Sequence, residues 1–261
     1  MNHHEETVRN AVREEYAGIA ADPGKSIGCN STACCEPKDF NVVSIALGYS
    51  ENDVGQVPEG ANLGLGCGNP QAIAGLEPGE TVVDLGSGAG FDCFLAANQV
   101  GASGKVIGVD MTHEMLYKAR ANAEKGGYLN TEFRLGEIEH LPIANDSADV
   151  IISNCVINLS PNKRRVFEEA YRVLKIGGRL AISDVVATAE LPAEIASDMK
   201  LLSGCVAGAE HFHVLERMLA EIGFQEVEIT PREESKEFIR EWKPGSRIED
   251  YVVSASIQGH K

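Results

Sequence analysis

Positive charge is what this chain is short of. Its 261 residues carry 23 Lys and Arg against 39 Asp and Glu, a net charge of −16. Such a surface repels phosphate backbones, which argues against nucleic acid as a substrate unless a local basic patch exists. The densest basic cluster, Lys163-Arg164-Arg165, is diluted by Glu168 and Glu169 and reads as a solvated helix start. Long apolar runs are also missing. No stretch approaches the roughly 18 apolar residues of a membrane span, and the N-terminal MNHHEETVRNAVREEY lacks the apolar centre of a secretory signal. A cytoplasmic protein without membrane contact is the expectation. Seven cysteines, an odd count in a chain of this length, argue against a disulfide framework.

The chain does have enough apolar residues for a full core, with 43% hydrophobic and 24% charged residues. One large domain, or one with a smaller appendage, follows. From residue 81 short β-rich runs alternate with amphipathic stretches. The runs predict strands over Thr81–Leu85, Lys105–Asp110, Thr131–Leu135, Ala148–Ser153 and Arg179–Asp184. Helices are predicted near Phe91–Gln99, Glu114–Lys125 and Asn162–Leu174, with Gly177-Gly178 as the stop before the next strand. This alternation implies an α/β fold with a mostly parallel, Rossmann-like sheet covered on both faces.

The flanks break the pattern. Residues 1 to about 30 hold a helix and a Cys-bearing loop, and residues 36–79 end in the glycine-rich GANLGLGCGNP. Beyond residue 190, Leu191–Ile222 reads as helical with interruptions at Gly204 and Gly208. Gln225–Thr230 and Tyr251–Ile257 alternate like strands. The expected division is an N-terminal helix and cysteine loops (1–80), a donor-binding core (81–190) and a substrate-binding segment with C-terminal strands (191–261).

Strand Val82-Val83-Asp84-Leu85 delivers the chain into Gly86-Ser87-Gly88-Ala89-Gly90 and then a helix. Glycines there permit a tight turn and close approach of a ligand to the amides. Phe91 stands where a dinucleotide loop would have its third glycine, and no P-loop lysine follows. The next strand, KVIGVD, ends at Asp110, placed to accept from two ribose hydroxyls, with Met111 beside it to lie against a purine. After the third strand comes Gly136-Glu137-Ile138-Glu139. Together these features resemble class I methyltransferases, which implies S-adenosylmethionine as cofactor, with either Glu137 or Glu139 accepting from the exocyclic amino group of its purine. Asn154, after the fourth strand, completes the expected donor contacts.

Cysteines supply a second pattern. Cys155, in SNCVINLSP, stands at the carboxyl end of a strand expected to neighbour the first. Cys67 in GLGCG and Cys205 in SGC have glycine neighbours, poor surroundings for a thiol that only fills core volume. Cys93, on the first helix after the glycine loop, reads as core. His211 and His213 lack a further ligand at metal spacing and read as capping or solvated residues.

The segments YSENDVGQVPEGANLGLGCGNP, VVDLGSGAGFDC, GVDMTHEML, SNCVINLSPNKRRVFEEAYRVLKIGGRLAISDV and LLSGCVAGA together resemble the arsenite methyltransferases, over about Tyr16 to Gly208. The resemblance implies that Cys67, Cys155 and Cys205 bind arsenic, and that an N-terminal cysteine serves a disulfide relay. Cys34, Cys35 and Cys29 are its candidates. It also places Tyr16 in a segment closing over the cofactor. Trivalent arsenic is soft and thiolates suit it. The implied substrate is arsenite or its thiol conjugates, with thioredoxin or glutathione as reductant. Two other functions are compatible with the fold: methylation of a quinone-like small molecule, and non-catalytic metalloid binding.

Overall fold

A computed structural model describes residues 3–22, 39–196 and 198–261. Its centre is a seven-stranded sheet in the order β3-β2-β1-β4-β5-β7-β6. The strands are β1 (Thr81–Leu85), β2 (Lys105–Asp110), β3 (Thr131–Leu135), β4 (Ala148–Asn154), β5 (Leu174–Ala187), β6 (Gln225–Arg232) and β7 (Val252–His260). β1 to β5 run parallel, and β7 is antiparallel to both neighbours. The mostly parallel α/β architecture expected from the sequence is the one observed.

Alternation of side chains along the strands divides the core in two. Val82, Val106, Val150 and Ile152 face one layer, where Phe94 and Cys93 of helix Phe91–Val100 and Leu116 of helix His113–Gly126 cover them. Val83, Leu85, Ile107, Val109 and Ile151 face the other, against Val166 and Phe167 of helix Lys163–Val173 and Leu215 and Leu219 of helix Phe212–Ile222. β1 and β4, covered on both faces, read as continuous apolar runs for this reason.

Three details differ from the sequence reading. β5 begins at Leu174, directly after its helix, so Gly177 (φ 80°) is a kink inside the strand rather than a stop before it. The stretch read as one interrupted helix is three: Ala193–Ala196, Met199–Ser203 and Phe212–Ile222. Residues 36–79, where only loop and a short apolar segment were expected, contain helices Phe40–Ala46, Glu51–Gln56 and Gln71–Ala74. The first two are capped by Asp39 and Ser50, short polar side chains that accept from first-turn amides.

Helix His3–Ala21 crosses the carboxyl ends of the strands. Val12 packs with Cys67, Cys155 and Cys205, while Ile19 and Ala20 pack on Met115 and Leu63. None of the described helices is long and apolar enough to cross a membrane.

Candidate functional site

β1 stands where the chain's crossovers leave in opposite directions, to β2 on one side and β4 on the other, which opens a crevice beyond the strand ends. A cavity of about 390 Å³ fills it, in the range of small-molecule pockets.

The glycine loop forms its floor. Gly86 and Ser87 donate their N–H groups to Val109 O at 2.8 and 3.0 Å, and Gly88 N–H donates to Asp110 Oδ2 at 2.9 Å. Gly86 and Gly88 have φ of 71° and 51°, where side chains are strained. The space around them differs. A Cβ on Gly86 would lie 2.5 Å from Val156 Cγ2, whereas a Cβ on Gly88 would meet nothing within 4 Å. Gly90 caps helix Phe91–Val100, and the Ser87 hydroxyl is buried with no partner.

Asp84, Asp92 and Asp110 line the cavity, all buried. Burial raises the pKa of each, and the Asp92 charge raises that of Asp84 further. The groups that act most strongly on them are amides, a thiol, a phenol, the Thr112 hydroxyl and one another. This donor set suits a cationic ligand with hydrogen-bonding hydroxyls, and the orphaned Ser87 hydroxyl and the open face of Gly88 mark the floor on which it would lie.

The remaining donor-side residues separate. Met111, Ile138 and Glu139 line the cavity. Glu139 is buried, accepts from the Ser160 hydroxyl at 2.6 Å and pairs with Arg9 Nε at 3.4 Å. Glu137 does not line it: its carboxylate turns to Arg9 and Arg13, each at 3.5 Å. Of the two alternatives left open by the sequence, Glu139 is the one inside. Arg9 was missed, although its spacing of four from Arg13 on one helix, in a chain short of cations, was a signal.

Asn154 Oδ1 accepts from Cys67 N–H at 3.0 Å, and its Nδ2 donates to Gly68 O at 2.9 Å and to Tyr49 Oη at 3.0 Å. Tyr49 in turn donates to Asp92 Oδ1 at 2.8 Å. Asn154 thus clamps the Cys67 loop to the acidic wall.

The three glycine-flanked or strand-end cysteines meet. Cys67, Cys155 and Cys205 are free and buried, at 1%, 7% and 3% exposure. The Cys155 thiol contacts both others, and these contacts, before burial, hold its proton well above the ordinary thiol range. Burial pushes Cys67 up to about 11. The Cys205 thiol donates to Cys155 O at 2.7 Å. Cys155 and Cys205 have φ of 59° and 64°. A left-handed backbone at two non-glycine residues stores about 1–3 kcal/mol each, and such strain clusters at functional sites.

Tyr16 faces the same cluster, its hydroxyl donating to Ser203 O at 3.3 Å; burial, then Cys205 and Cys155, raise its pKa. Cys93 is core, as expected, and its thiol donates to Asp84 Oδ2 at 3.1 Å. His211 caps helix Phe212–Ile222 by accepting from His213 N–H. Cys29, Cys34 and Cys35 lie outside the described residues.

Residues 76–240 match the family model of a methyltransferase domain. The chain is 54% identical over 98% of its length to the arsenite methyltransferase of Halobacterium salinarum, covering 67% of that protein. It belongs to the arsenite methyltransferase family. A second member, from Aquipseudomonas alcaligenes, is 46% identical over 83% of the chain and 62% of its own length. The crystal structure of an arsenic(III) S-adenosylmethionine methyltransferase from Chlamydomonas reinhardtii superposes with a TM-score of 0.63 at 35% identity, over 87% of this chain and 75% of that one. The chain thus spans about two thirds of the length of the two curated family members, 67% and 62%.

Proposed function

We propose that this chain methylates trivalent arsenic, with S-adenosylmethionine as the donor and arsenite or its thiol conjugates as the substrate. The observation that carries the reading is the meeting of Cys67, Cys155 and Cys205 at the wall of the donor cavity, which Cys155 and Cys205 line together with Asp84, Gly86 and Gly88. The donor supplies an electrophilic methyl group on a sulfonium, whose positive charge suits a wall of buried carboxylates.

Capture of arsenite is a condensation. Each thiol forms an As–S bond as an As–O bond breaks, and each thiol proton leaves with the hydroxyl as water. Three thiols replace three hydroxyls and no net proton is released. The raised pKa values of Cys67 and Cys155 are therefore no obstacle. Three As–S bonds leave the arsenic lone pair as the nucleophile, so no general base is required at arsenic. The chain's contribution is then positioning, worth at most on the order of 7–11 kcal/mol. Asn154 fixes Cys67, and the left-handed turns fix Cys155 and Cys205.

Gain of a methyl cation formally oxidises arsenic by two electrons. The reading assigns return to the trivalent state to Cys34 or Cys35, or to Cys29, through a transient disulfide reduced by thioredoxin or glutathione. Such a cycle belongs in the reducing cytoplasm.

Purified protein with S-adenosylmethionine, a thiol reductant and arsenite should yield methylated arsenicals. Cys155→Ser and Cys205→Ser should abolish them while donor affinity stays within a few-fold of wild type. No product under reducing conditions, with donor binding demonstrated, refutes the reading.

A further inference from the structure

The thiol cluster contains a carboxylate that the arsenic chemistry does not use. Asp184, on β5, places an oxygen so that it and the sulfurs of Cys67 and Cys155 all lie within 4.8 Å of one another, and all three side chains are buried. The carboxylate is fixed from behind. Ile157 N–H donates to Oδ2 at 2.8 Å, and Val185 N–H and Asn158 Nδ2 donate to Oδ1 at 2.7 and 3.0 Å. An ionised carboxylate has about four acceptor positions, so Oδ2 keeps a lone pair. The β5 run LAISDVVA is apolar around this one acid, buried at 2% exposure in a strand that has no need of it for pairing.

Two thiols and a carboxylate are the wrong set for trivalent arsenic, which takes three soft ligands. They are the right set for a d10 divalent cation, which accepts sulfur and oxygen together. Zinc bonds of about 2.3 Å to sulfur and 2.0–2.2 Å to oxygen put tetrahedral ligand atoms roughly 3.3–3.8 Å apart. Closing the observed triad, whose ligand atoms lie within 4.8 Å of one another, therefore takes a contraction of up to about 1–1.5 Å between them. The Cys205 thiol also contacts Cys155, but its proton is turned to the Cys155 carbonyl and it is not one of the three mutually close ligands.

We propose that Cys67, Cys155 and Asp184 form a site for a thiophilic divalent cation of the Zn²⁺ or Cd²⁺ class, competing with trivalent arsenic. The two sites share two sulfurs and differ in the third ligand: Cys205 for arsenic, Asp184 for the cation. Water fills the fourth position. Binding is redox-neutral. Two S–H protons leave to solvent and two thiolates and one carboxylate hold the dication, giving a net charge of −1. The Lys163 ammonium acts favourably on Asp184 and compensates that charge from nearby. Arsenite capture and cation binding are then mutually exclusive, and the cation inhibits by occupying Cys67 and Cys155.

The test is titration of the reduced full chain with Cd²⁺, followed by the ultraviolet thiolate-to-cadmium absorption, with and without arsenite. Expected are displacement of one ion by the other and a double dissociation between variants. Asp184→Asn should weaken Cd²⁺ by at least roughly tenfold, the lower end of the loss seen even for groups that only support a ligand, with arsenite capture retained. Cys205→Ser should do the reverse, and Cys67→Ser should lose both. Because Asp184 anchors two backbone amides, its variant is checked by donor affinity and melting. Should it not fold, ¹¹³Cd resonance of the wild-type complex decides, since two sulfurs with oxygen and three or four sulfurs resonate in different regions. Cd²⁺ affinity unchanged in either Asp184→Asn or Cys67→Ser, or a resonance of three or four sulfurs, overturns the proposal. Arsenite capture lost in Asp184→Asn would also overturn the division of ligands, whereas failure of the wild-type chain to capture arsenite while binding Cd²⁺ would leave the cation site standing and count against the methylation reading.

Discussion

Replacing Gly86 and Gly88 by alanine, one at a time, separates the two functions that the glycine loop serves. Both residues are left-handed, so a Cβ costs about 1–2 kcal/mol at either. At Gly88 the cost ends there, because the added methyl meets no atom within 4 Å. At Gly86 the methyl would lie 2.5 and 2.6 Å from the two Val156 methyls and 3.0 Å from Val156 Cβ, which adds about 1–3 kcal/mol of overpacking. Gly86→Ala should therefore lose about 2–5 kcal/mol and Gly88→Ala about 1–2. For a chain of this size that is roughly 4–20 °C against roughly 2–8 °C in melting temperature. Donor binding should show the opposite order at Gly88, whose methyl would project into the cavity. Val156 also follows Cys155, so the Gly86 methyl presses on the turn that aims the central thiol, and arsenite capture should fall with it. Thermal melts without ligand, calorimetric donor titration and arsenite binding measure the three effects. Equal melting temperatures for the two variants, or a Gly88 variant with undiminished donor affinity, would refute this assignment of the loop.

Arsenite capture should be flat between about pH 6 and about pH 8, because Cys67 titrates at about 11 and its proton leaves in water rather than in solution. Cadmium must drive off two thiol protons and, near pH 6, part of the proton on Asp184, whose pKa burial raises to about 6. It should instead gain roughly a hundredfold or more in affinity per pH unit over the same range; a parallel dependence for both ions would contradict the condensation. Arg9→Ala removes the cation from buried Glu139 and half-exposed Glu137. The expected loss is about 1–3 kcal/mol, since Glu139 keeps its Ser160 hydrogen bond, with faster proteolysis of helix His3–Ala21. Unchanged proteolysis would mean that the helix is held by its apolar face alone.

Much of the fold was legible because its signals are local. Strands β1, β2 and β3 coincide with the runs read from the sequence, since β1 and β2 are rich in β-branched residues and β3 alternates polar and apolar residues between Asn130 and Gly136. The α/β repeat then fixes the parallel order and, with it, the crevice. The cysteine trio was legible in part: glycine neighbours set Cys67 and Cys205 apart, and the strand end set Cys155 apart. Asp184 was not legible, because an acid inside an apolar strand carries no mark of what it will face across the sheet end. The same holds for Tyr49, whose bond to Asp92 spans 43 positions of chain, and for Asn154, whose side chain is consumed by the Cys67 loop and Tyr49. Their partners are set by tertiary packing alone.

The last strand lies in the interior of the sheet. β7 pairs with β5 from Ala187–Val252 to Arg179–His260 and with β6 on its other edge. Its Ser254 hydroxyl donates to Cys67 O at 2.6 Å. On the ribosome, the glycine loop and the first four strands emerge long before this strand does. A nascent chain can thus shape its donor floor early, but it cannot fasten the first of its three thiols until Ser254 has been made. Because such long-range pairing is slow to form, the reactive trio stays unassembled until β7 has paired with β5. A growing chain is in this way spared from trapping a thiophilic ion in a half-made site.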